Sequence, residues 1–258
     1  MVSLLSRVSP IMCGALLLVI VASSCGSRGR VELLVFAAVS LTDALTEISR
    51  EFEAAGDAEI SLSFGGSQAL AQQIARGAPA DVFVSAGRFP VDLLAGRDLI
   101  APATIELLSN TLVAVIRSDG VHLESMEQLR SGAIERVAVA DPDLSPAGRY
   151  AQESLVSLGL WDDLQSKLII GSDVRTALTY VKVGSADVAI VYATDAATVT
   201  GVRVLDIVPP GSHSTIVYPV AIARESENDA VAADFLVFLQ SKTASAVFQK
   251  YGFEPPGP

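Results

Sequence analysis

Apolar runs alternate along the chain with segments in which apolar residues recur at helical spacing. Residues 31–38 form an apolar run broken only by Glu32, which is typical of a strand buried on both faces of a sheet. Residues 40–55 carry Leu41, Leu45, Ile48 and Phe52 at intervals of three or four, which predicts an amphipathic helix. The same criteria predict strands at 31–38, 59–64, 81–86, 111–117, 136–140, 167–170, 187–192, 202–208 and 216–223. They predict helices at 40–55, 68–76, 89–95, 125–130, 147–158, 174–183, 228–239 and 244–251.

This alternation predicts an α/β fold with mostly parallel sheets and flanking helices. The chain length and the two clusters of units favour two lobes with a cleft between them. In such sheets, ligands bind at the carboxyl ends of the strands, where loops lead into helix N-termini. We therefore expect the functional residues in loops 37–42, 64–68, 141–148, 171–175 and 192–195.

The first 25 residues have a different pattern. Arg7 is the only charge before an apolar stretch at 11–22, and Ser23, Ser24 and Cys25 follow. This order predicts a secretory signal peptide over residues 1–24, and a cysteine after small residues resembles a bacterial lipobox, in which the cysteine is lipidated. We expect cleavage before Cys25, a flexible tether over 25–30, and export to the outer face of the cell membrane. An ordinary secretory signal with an incidental cysteine is the alternative.

Composition excludes several classes of protein. Of 258 residues, 50% are apolar and 18% charged, which is too much apolar content for a disordered chain. The net charge of −11, without a basic run, argues against a nucleic-acid partner. Two cysteines and two histidines leave little for a zinc or haem site, and we expect no cofactor.

The predicted loops place hydroxyl residues and free backbone amides together. Ser40, Ser67, the turn at 141–148 and the turn at 171–174 each begin a predicted helix. Helix N-termini carry unpaired N–H groups and a partial positive charge, so several that converge make an anion site without lysine or arginine. Tyr192 could add a phenolic donor from the end of a strand. Simple helix capping, and a core role for Tyr192, are the alternatives.

Catalytic patterns are weak in this sequence. There is no GxSxG elbow, no Walker A lysine, no HExxH and no CxxC. The other polar candidates have structural interpretations. Caps and turns explain Asp141, Asp143, Asp173 and Asp195, and surface positions explain His122 and His213. Surface pairing explains Arg149 and Arg175, which could also line an anion site, and packing explains Trp161.

Several fragments, in the right order, closely resemble the periplasmic molybdate-binding proteins of ABC importers. They are residues 35–42 (VFAAVSLT), 77–83 (GAPADVF), 173–175 (DVR), 190–192 (IVY), 218–220 (YPV) and 248–253 (FQKYGF). The resemblance implies a two-lobe type II periplasmic-binding-protein fold that binds molybdate or tungstate, delivers it to an ABC permease and catalyses nothing. It places the ligand contacts on Ser40, Ser67, Ala147, Val174 and Tyr192, with the molybdenum held through its oxygens. The departure is Gly65-Gly66, where many relatives have small hydroxyl residues.

The chemistry of the ligand agrees with these residues. Molybdate is fully deprotonated at neutral pH and only accepts hydrogen bonds, so its site should offer hydroxyl and N–H donors and no carboxylate. Discrimination from sulfate would then rest on size. We expect a monomer with lobe I over 31–109 and 215–258, lobe II over 110–214, and closure about two crossings near 110–117 and 215–223. A binding protein for another oxyanion such as sulfate, an enzyme on the same fold, and an adhesive surface lipoprotein are the alternatives.

Overall fold

A computed structural model describes residues 30–56 and 58–257. The predicted signal peptide, Cys25 and the tether up to residue 29 lie outside the described residues. Ten strands are formed within the described part: β1 (Val31–Ala38), β2 (Ala58–Gly65), β3 (Val82–Val84), β4 (Ile105–Ser109), β5 (Leu112–Arg117), β6 (Val137–Ala140), β7 (Leu168–Gly171), β8 (Val188–Tyr192), β9 (Val202–Ile207) and β10 (Val217–Ile222). The α-helices of the same residues are α1 (Thr42–Ala55), α2 (Ser67–Ile74), α3 (Arg88–Ala95), α4 (Pro146–Ser157), α5 (Trp161–Leu164), α6 (Val174–Lys182), α7 (Ala193–Ala197), α8 (Asp229–Leu239) and α9 (Lys242–Lys250).

The strands form two sheets of the same design. The first sheet has the order β2-β1-β3-β10-β4, and the second has the order β7-β6-β8-β5-β9. In each sheet four strands run in one direction, and a single strand, β10 or β5, lies antiparallel between two of them. The predicted α/β fold with mostly parallel sheets is therefore confirmed.

The strand registers bring the expected loops to one edge of each sheet. Ala38 pairs with Gly65 at the carboxyl ends of β1 and β2, so the loops that follow these strands begin side by side. Ala140 pairs with Gly171 at the ends of β6 and β7, which does the same for the loops at 141–145 and 172–173. Because parallel strands end at a common edge, residues far apart in sequence become neighbours there.

The core lies between the sheets and their helices. On α1, the buried side chains Ala44, Leu45 and Ile48 share one face, as the helical periodicity predicts. Ile48 has no exposed surface, and burial of such a side chain contributes about 1.5–3 kcal/mol. In the second half of the molecule, all four residues of β6 are buried, as expected of a central strand covered on both faces.

Local details differ from the sequence predictions at a few positions. Ser40 lies in a 3₁₀ turn, Val39–Leu41, that precedes α1, and Ser67 is the first residue of α2 rather than its cap, which is Gly66. The helix predicted at 125–130 is a 3₁₀ helix, Met126–Arg130. Strand β4 and the short helices α5 and α7 were not predicted, because segments of four or five residues carry too little periodicity. Among the described residues, no single helix is long and apolar enough to cross a membrane.

Candidate ligand-binding site

The loops after the parallel strands of both sheets converge on one small cavity. Its volume is about 10 Å³, far below the roughly 300–1,000 Å³ of pockets for organic ligands. The first sheet contributes Ala38, Val39, Ser40, Gly65, Gly66, Ser67 and Ala86, and the second contributes Ser145, Pro146, Val174 and Tyr192. Four of the five predicted contact residues therefore line this cavity. Ala147 does not line it, but directly follows the lining residue Pro146.

Ser40 belongs to a chain of hydrogen bonds that starts between the sheets. Asn110 Nδ2 lies 3.0 Å from Tyr218 Oη, which in turn lies 3.1 Å from Ser40 Oγ. Because the Asn110 amide donates to Tyr218, the tyrosine proton is available to donate to Ser40. The proton of the Ser40 hydroxyl is then left to donate into the cavity.

The hydroxyl of Ser67 also has a proton available for a ligand in the cavity. Its side chain is fully buried, and its Oγ accepts a hydrogen bond from the backbone N–H of Ala86 at 3.0 Å. The hydroxyl proton of Ser67 therefore remains free for a second partner. Both serines can thus donate a proton to a ligand.

The second half of the molecule contributes helix N-termini. Pro146 is the first residue of α4, and Ser145 is its N-cap. Val174 begins α6, where the Asp173 carboxylate caps the helix by accepting from the N–H of Thr176 at 2.8 Å. Across residues 30–56 and 58–257, the N–H groups of Ala147 and Val174 have no hydrogen-bond acceptor. These two amides sit at the positive ends of the helix dipoles, where an anion is favoured.

Tyr192 adds a protonated phenol at the end of β8. Its side chain is buried, and its hydroxyl donates to the carbonyl oxygen of Ala86 at 3.4 Å. Burial raises the pKa of Tyr192 well above its ordinary value, and burial likewise raises the pKa of Tyr218. Both phenols therefore stay protonated donors at every physiological pH.

The two halves touch at the rim of the cavity. Ala69 N–H donates to Leu144 O at 3.2 Å, and Gln68 Nε2 donates to Pro142 O at 3.1 Å. A Cβ at Gly66 would lie 2.3 Å from Leu144 O, so only glycine allows this approach. The Gly66 position that departs from the resemblance is therefore explained by backbone contact between the halves.

The charged candidates lie outside the cavity. Arg149 pairs with Glu153 and stacks 4.3 Å from the centre of the Phe89 ring. Asp141 accepts from the N–H of Asp143 at 2.8 Å, which confirms a turn role. Among the described residues, no group of three or more histidine, cysteine, aspartate or glutamate side chains could hold a metal ion.

Asp195 differs from the cap or turn role predicted for it, and Arg175 differs from the surface pairing predicted for it. Asp195 is fully buried and bonds Arg175, whose Nε lies 3.0 Å from Asp195 Oδ1. Arg175 also reaches Asp43. His122 is exposed and Trp161 packs against the core, as predicted. His213 is half-buried rather than fully at the surface, and it bonds the carbonyl of its neighbour.

Sequence reasoning missed the residues that orient the donors. Asn110 and Tyr218 act on Ser40, and Ala86 contacts both Ser67 and Tyr192. Tyr218 was visible only as part of the YPV fragment. Asn110 stands in the crossing between β4 and β5, where nothing in the local pattern marks it.

Comparison with known proteins identifies the family. The sequence profile of the family described as bacterial extracellular solute-binding proteins matches residues 33–254. The chain belongs to this family. The solute-binding protein is 38% identical to YvgL of Bacillus subtilis, whose name includes the word lipoprotein, over 90% of this chain and 89% of the relative.

A second relative and a solved structure carry names that state a ligand. The molybdate-binding protein ModA of Escherichia coli is 39% identical, over 86% of this chain and 88% of its own length. The periplasmic molybdate-binding protein of Azotobacter vinelandii superposes with a TM-score of 0.77 at 22% identity, over 87% of this chain and all of that chain. At that identity the likeness concerns the fold, which is the two-lobe fold of type II periplasmic binding proteins.

Proposed function

We propose that this solute-binding protein captures molybdate, and tungstate as an analogue, and delivers it to the permease of an ABC importer. One observation carries the proposal: the cavity wall offers hydroxyl and amide donors, and no charged side chain of the described residues lines it. A fully deprotonated tetrahedral oxyanion needs donors only, whereas phosphate retains a proton near neutrality and favours an acceptor. The E. coli relative named for molybdate supports the same ligand.

Five groups are proposed to hold the ion. The hydroxyls of Ser40 and Ser67 would donate from their side chains, and Ala147 and Val174 would donate from their backbone amides. The Tyr192 hydroxyl would exchange its 3.4 Å bond to Ala86 O for a bond to the ion. Neutral donors in a site that excludes water bind an anion strongly, because the local dielectric is low. They also avoid the desolvation of a buried lysine or arginine.

Binding is proposed to be a hinge motion. Residues 31–109 and 215–258 would form one lobe and residues 110–214 the other, joined by the crossings near 110–117 and 215–223. A cavity of about 10 Å³ holds roughly one water molecule, so the lobes have to separate before a larger ion can enter. The ion would then stabilise the closed state because its donors come from both lobes.

The protein is proposed to act outside the cytoplasm as a non-catalytic monomer. Residues 1–24 would be removed as a signal peptide, and Cys25 would carry a lipid anchor with residues 25–30 as a tether. The support for the anchor is the order of residues before Cys25 and the YvgL relative. Mass spectrometry of the protein from a membrane fraction tests it: an unmodified Cys25 or cleavage elsewhere would refute the anchor.

The experiment for ligand identity is a thermal melt of residues 26–258 with molybdate, tungstate, sulfate and phosphate in turn. A ligand that binds only the folded state stabilises it by about 4 kcal/mol at 1,000 times its Kd. We expect a large rise in Tm with molybdate and tungstate and none with sulfate or phosphate. A rise with sulfate alone would replace the ligand, and no rise with any of the four would reject oxyanion binding.

A further inference from the structure

An ion pair joins the two halves of the molecule beside the cavity. Arg175, in the first turn of α6, places its guanidinium 2.5 Å from Asp43 Oδ2 and 3.0 Å from Asp195 Oδ1. Asp43 lies in the first turn of α1, which packs on the first sheet, whereas Asp195 lies on α7 beside the second sheet. None of the three residues lines the cavity. Their neighbours in sequence do, since Val174 precedes Arg175 and Ser40 stands three residues before Asp43.

The two arms of this ion pair have different surroundings. The Asp195 side chain has no exposed surface, that of Arg175 is 26% exposed, and that of Asp43 is 42% exposed. Burial raises the pKa of Asp195 to about 6 despite the opposing effect of Arg175. Burial would lower the pKa of Arg175, but Asp195 and Asp43 outweigh it and raise that pKa. Asp195, a buried partner, thus fixes Arg175 to its own half. The contact between Arg175 and Asp43 is the one that breaks when the two halves separate.

We propose that Arg175, held by Asp195, clamps the first turn of α6 to the first turn of α1 when the cleft closes, and so positions the Val174 amide opposite Ser40. This inference rests on the proposed function and adds two positioning residues to it, Arg175 and Asp43. Neither would touch the ion. Their effect would come through the closed state, whose population sets the apparent affinity of a ligand that binds only that state.

Electrostatics alone predicts the opposite effect for Asp43. Its carboxylate stands near a site for a dianion, so removal of this negative charge should tighten oxyanion binding. In the clamp, removal of the same charge breaks the contact between the halves and should weaken binding. The direction of the change therefore separates a clamp from a simple field effect.

Asp43→Asn and Glu47→Gln form a matched pair for this test. Glu47 lies one turn further along α1 and bonds Lys250 at 2.6 Å and Tyr251 at 2.8 Å, at the end of α9, which packs against α1. Each substitution removes one negative charge and one ion pair from α1, but only the ion pair of Asp43 joins the two halves. We expect Asp43→Asn to weaken molybdate binding by roughly 2- to 5-fold, as for a partly exposed ion pair, with faster dissociation. Glu47→Gln should leave affinity unchanged, and the Tm values without ligand should match.

Two further variants test the assignment to Arg175. Arg175→Lys keeps the charge but has all its donors on one nitrogen, so it lacks the planar fork in which Nε reaches Asp195 and Nη2 reaches Asp43. We expect it to weaken binding as much as Asp43→Asn does, and the double variant to be no weaker than either. Asp43→Glu should restore most of the affinity.

The clamp is overturned if Asp43→Asn binds molybdate as tightly as the parent or more tightly, or if Glu47→Gln weakens binding equally. The parent protein is titrated in the same series, so its failure to bind any oxyanion would count against the proposed function instead. In that case small-angle scattering without ligand tests the clamp. A larger radius of gyration for Asp43→Asn than for Glu47→Gln would support it, and equal radii would overturn it.

Discussion

Gly66→Ala should impair ligand capture without impairing folding. Gly66 has φ −65° and ψ 130°, a conformation open to alanine, so the substitution introduces no backbone strain. The new Cβ would lie 2.3 Å from Leu144 O, whereas an ordinary contact of this kind is about 3.4 Å or more. The two halves would therefore have to stay about 1 Å further apart at this point.

The magnitude follows from the contacts around Gly66. The hydrogen bond from Ala69 N–H to Leu144 O, 3.2 Å long, would be stretched beyond the hydrogen-bonding range, which removes about 0.5–1.5 kcal/mol. The displaced turn also carries Ser145 and the α4 N-terminus away from the ion. Overpacking in a tight contact adds about 1–3 kcal/mol in general. We expect a total loss of about 1.5–4.5 kcal/mol in binding, or roughly 10- to 2,000-fold in Kd.

Titration calorimetry with molybdate measures this loss, and Gly65→Ala is the matched control. A Cβ at Gly65 would meet the end of the Leu70 side chain at 3.3 Å, and that side chain lies in the same half and can turn aside. Gly65 also lines the cavity, but the nearest neighbours of its Cβ are Leu70 atoms and not atoms of the other half, so Gly65→Ala should lose much less affinity than Gly66→Ala. Equal affinities for Gly66→Ala and the parent would refute the argument that closure at Leu144 sets the affinity.

Other substitutions test the donors and the buried carboxylate. Ser40→Ala and Tyr192→Phe should each weaken molybdate binding by roughly 1–3 kcal/mol, because a hydrogen bond to an anion is lost; unchanged calorimetric affinity in both would remove them from the site. Tyr218→Phe removes the bond that orients Ser40, and we expect a smaller loss of affinity, absent when Ser40 is already alanine. Asp195 should make the protein less stable as pH rises from about 4 to about 6. Its pKa of about 6 in the folded protein exceeds the roughly 3.9 of an unfolded chain, so the folded state binds the extra proton in that range. The effect is on the order of 3 kcal/mol. Denaturant titrations of the parent and of Asp195→Asn at several pH values measure the free energy of unfolding. The decline with pH should be absent from Asp195→Asn, and parallel pH profiles for the two proteins would contradict the reasoning.

The sequence predicted most of the elements and the loops that hold the site. Apolar runs and helical periodicity report which faces of a segment are buried, and these patterns are local. The carboxyl ends of parallel strands share an edge, which is why the order of strands and helices along the chain was enough to expect these loops together. The resemblance assigned the individual contacts within them, Ser40, Ser67, Ala147, Val174 and Tyr192.

Other features of the site depend on contacts between distant segments. Tyr218 lies 178 residues from Ser40, and Arg175 lies 132 residues from Asp43. A local pattern cannot specify which polar side chains meet across that separation, because the meeting point depends on how the two sheets are placed. The same holds for the antiparallel strands β5 and β10, since periodicity shows burial but not strand direction.

The sequence by itself thus determined the fold class, the site loops and the neutral donor chemistry, because each follows from residue type and local spacing. Only the tertiary structure decided how these donors are aimed and how the halves meet. Asn110 and Tyr218 hold the Ser40 hydroxyl in a chain of hydrogen bonds, and Gly66 lets Leu144 approach. Asp195 becomes a buried partner of Arg175 rather than a cap or turn residue, because burial and pairing are properties of packing in three dimensions, which no local stretch of sequence contains.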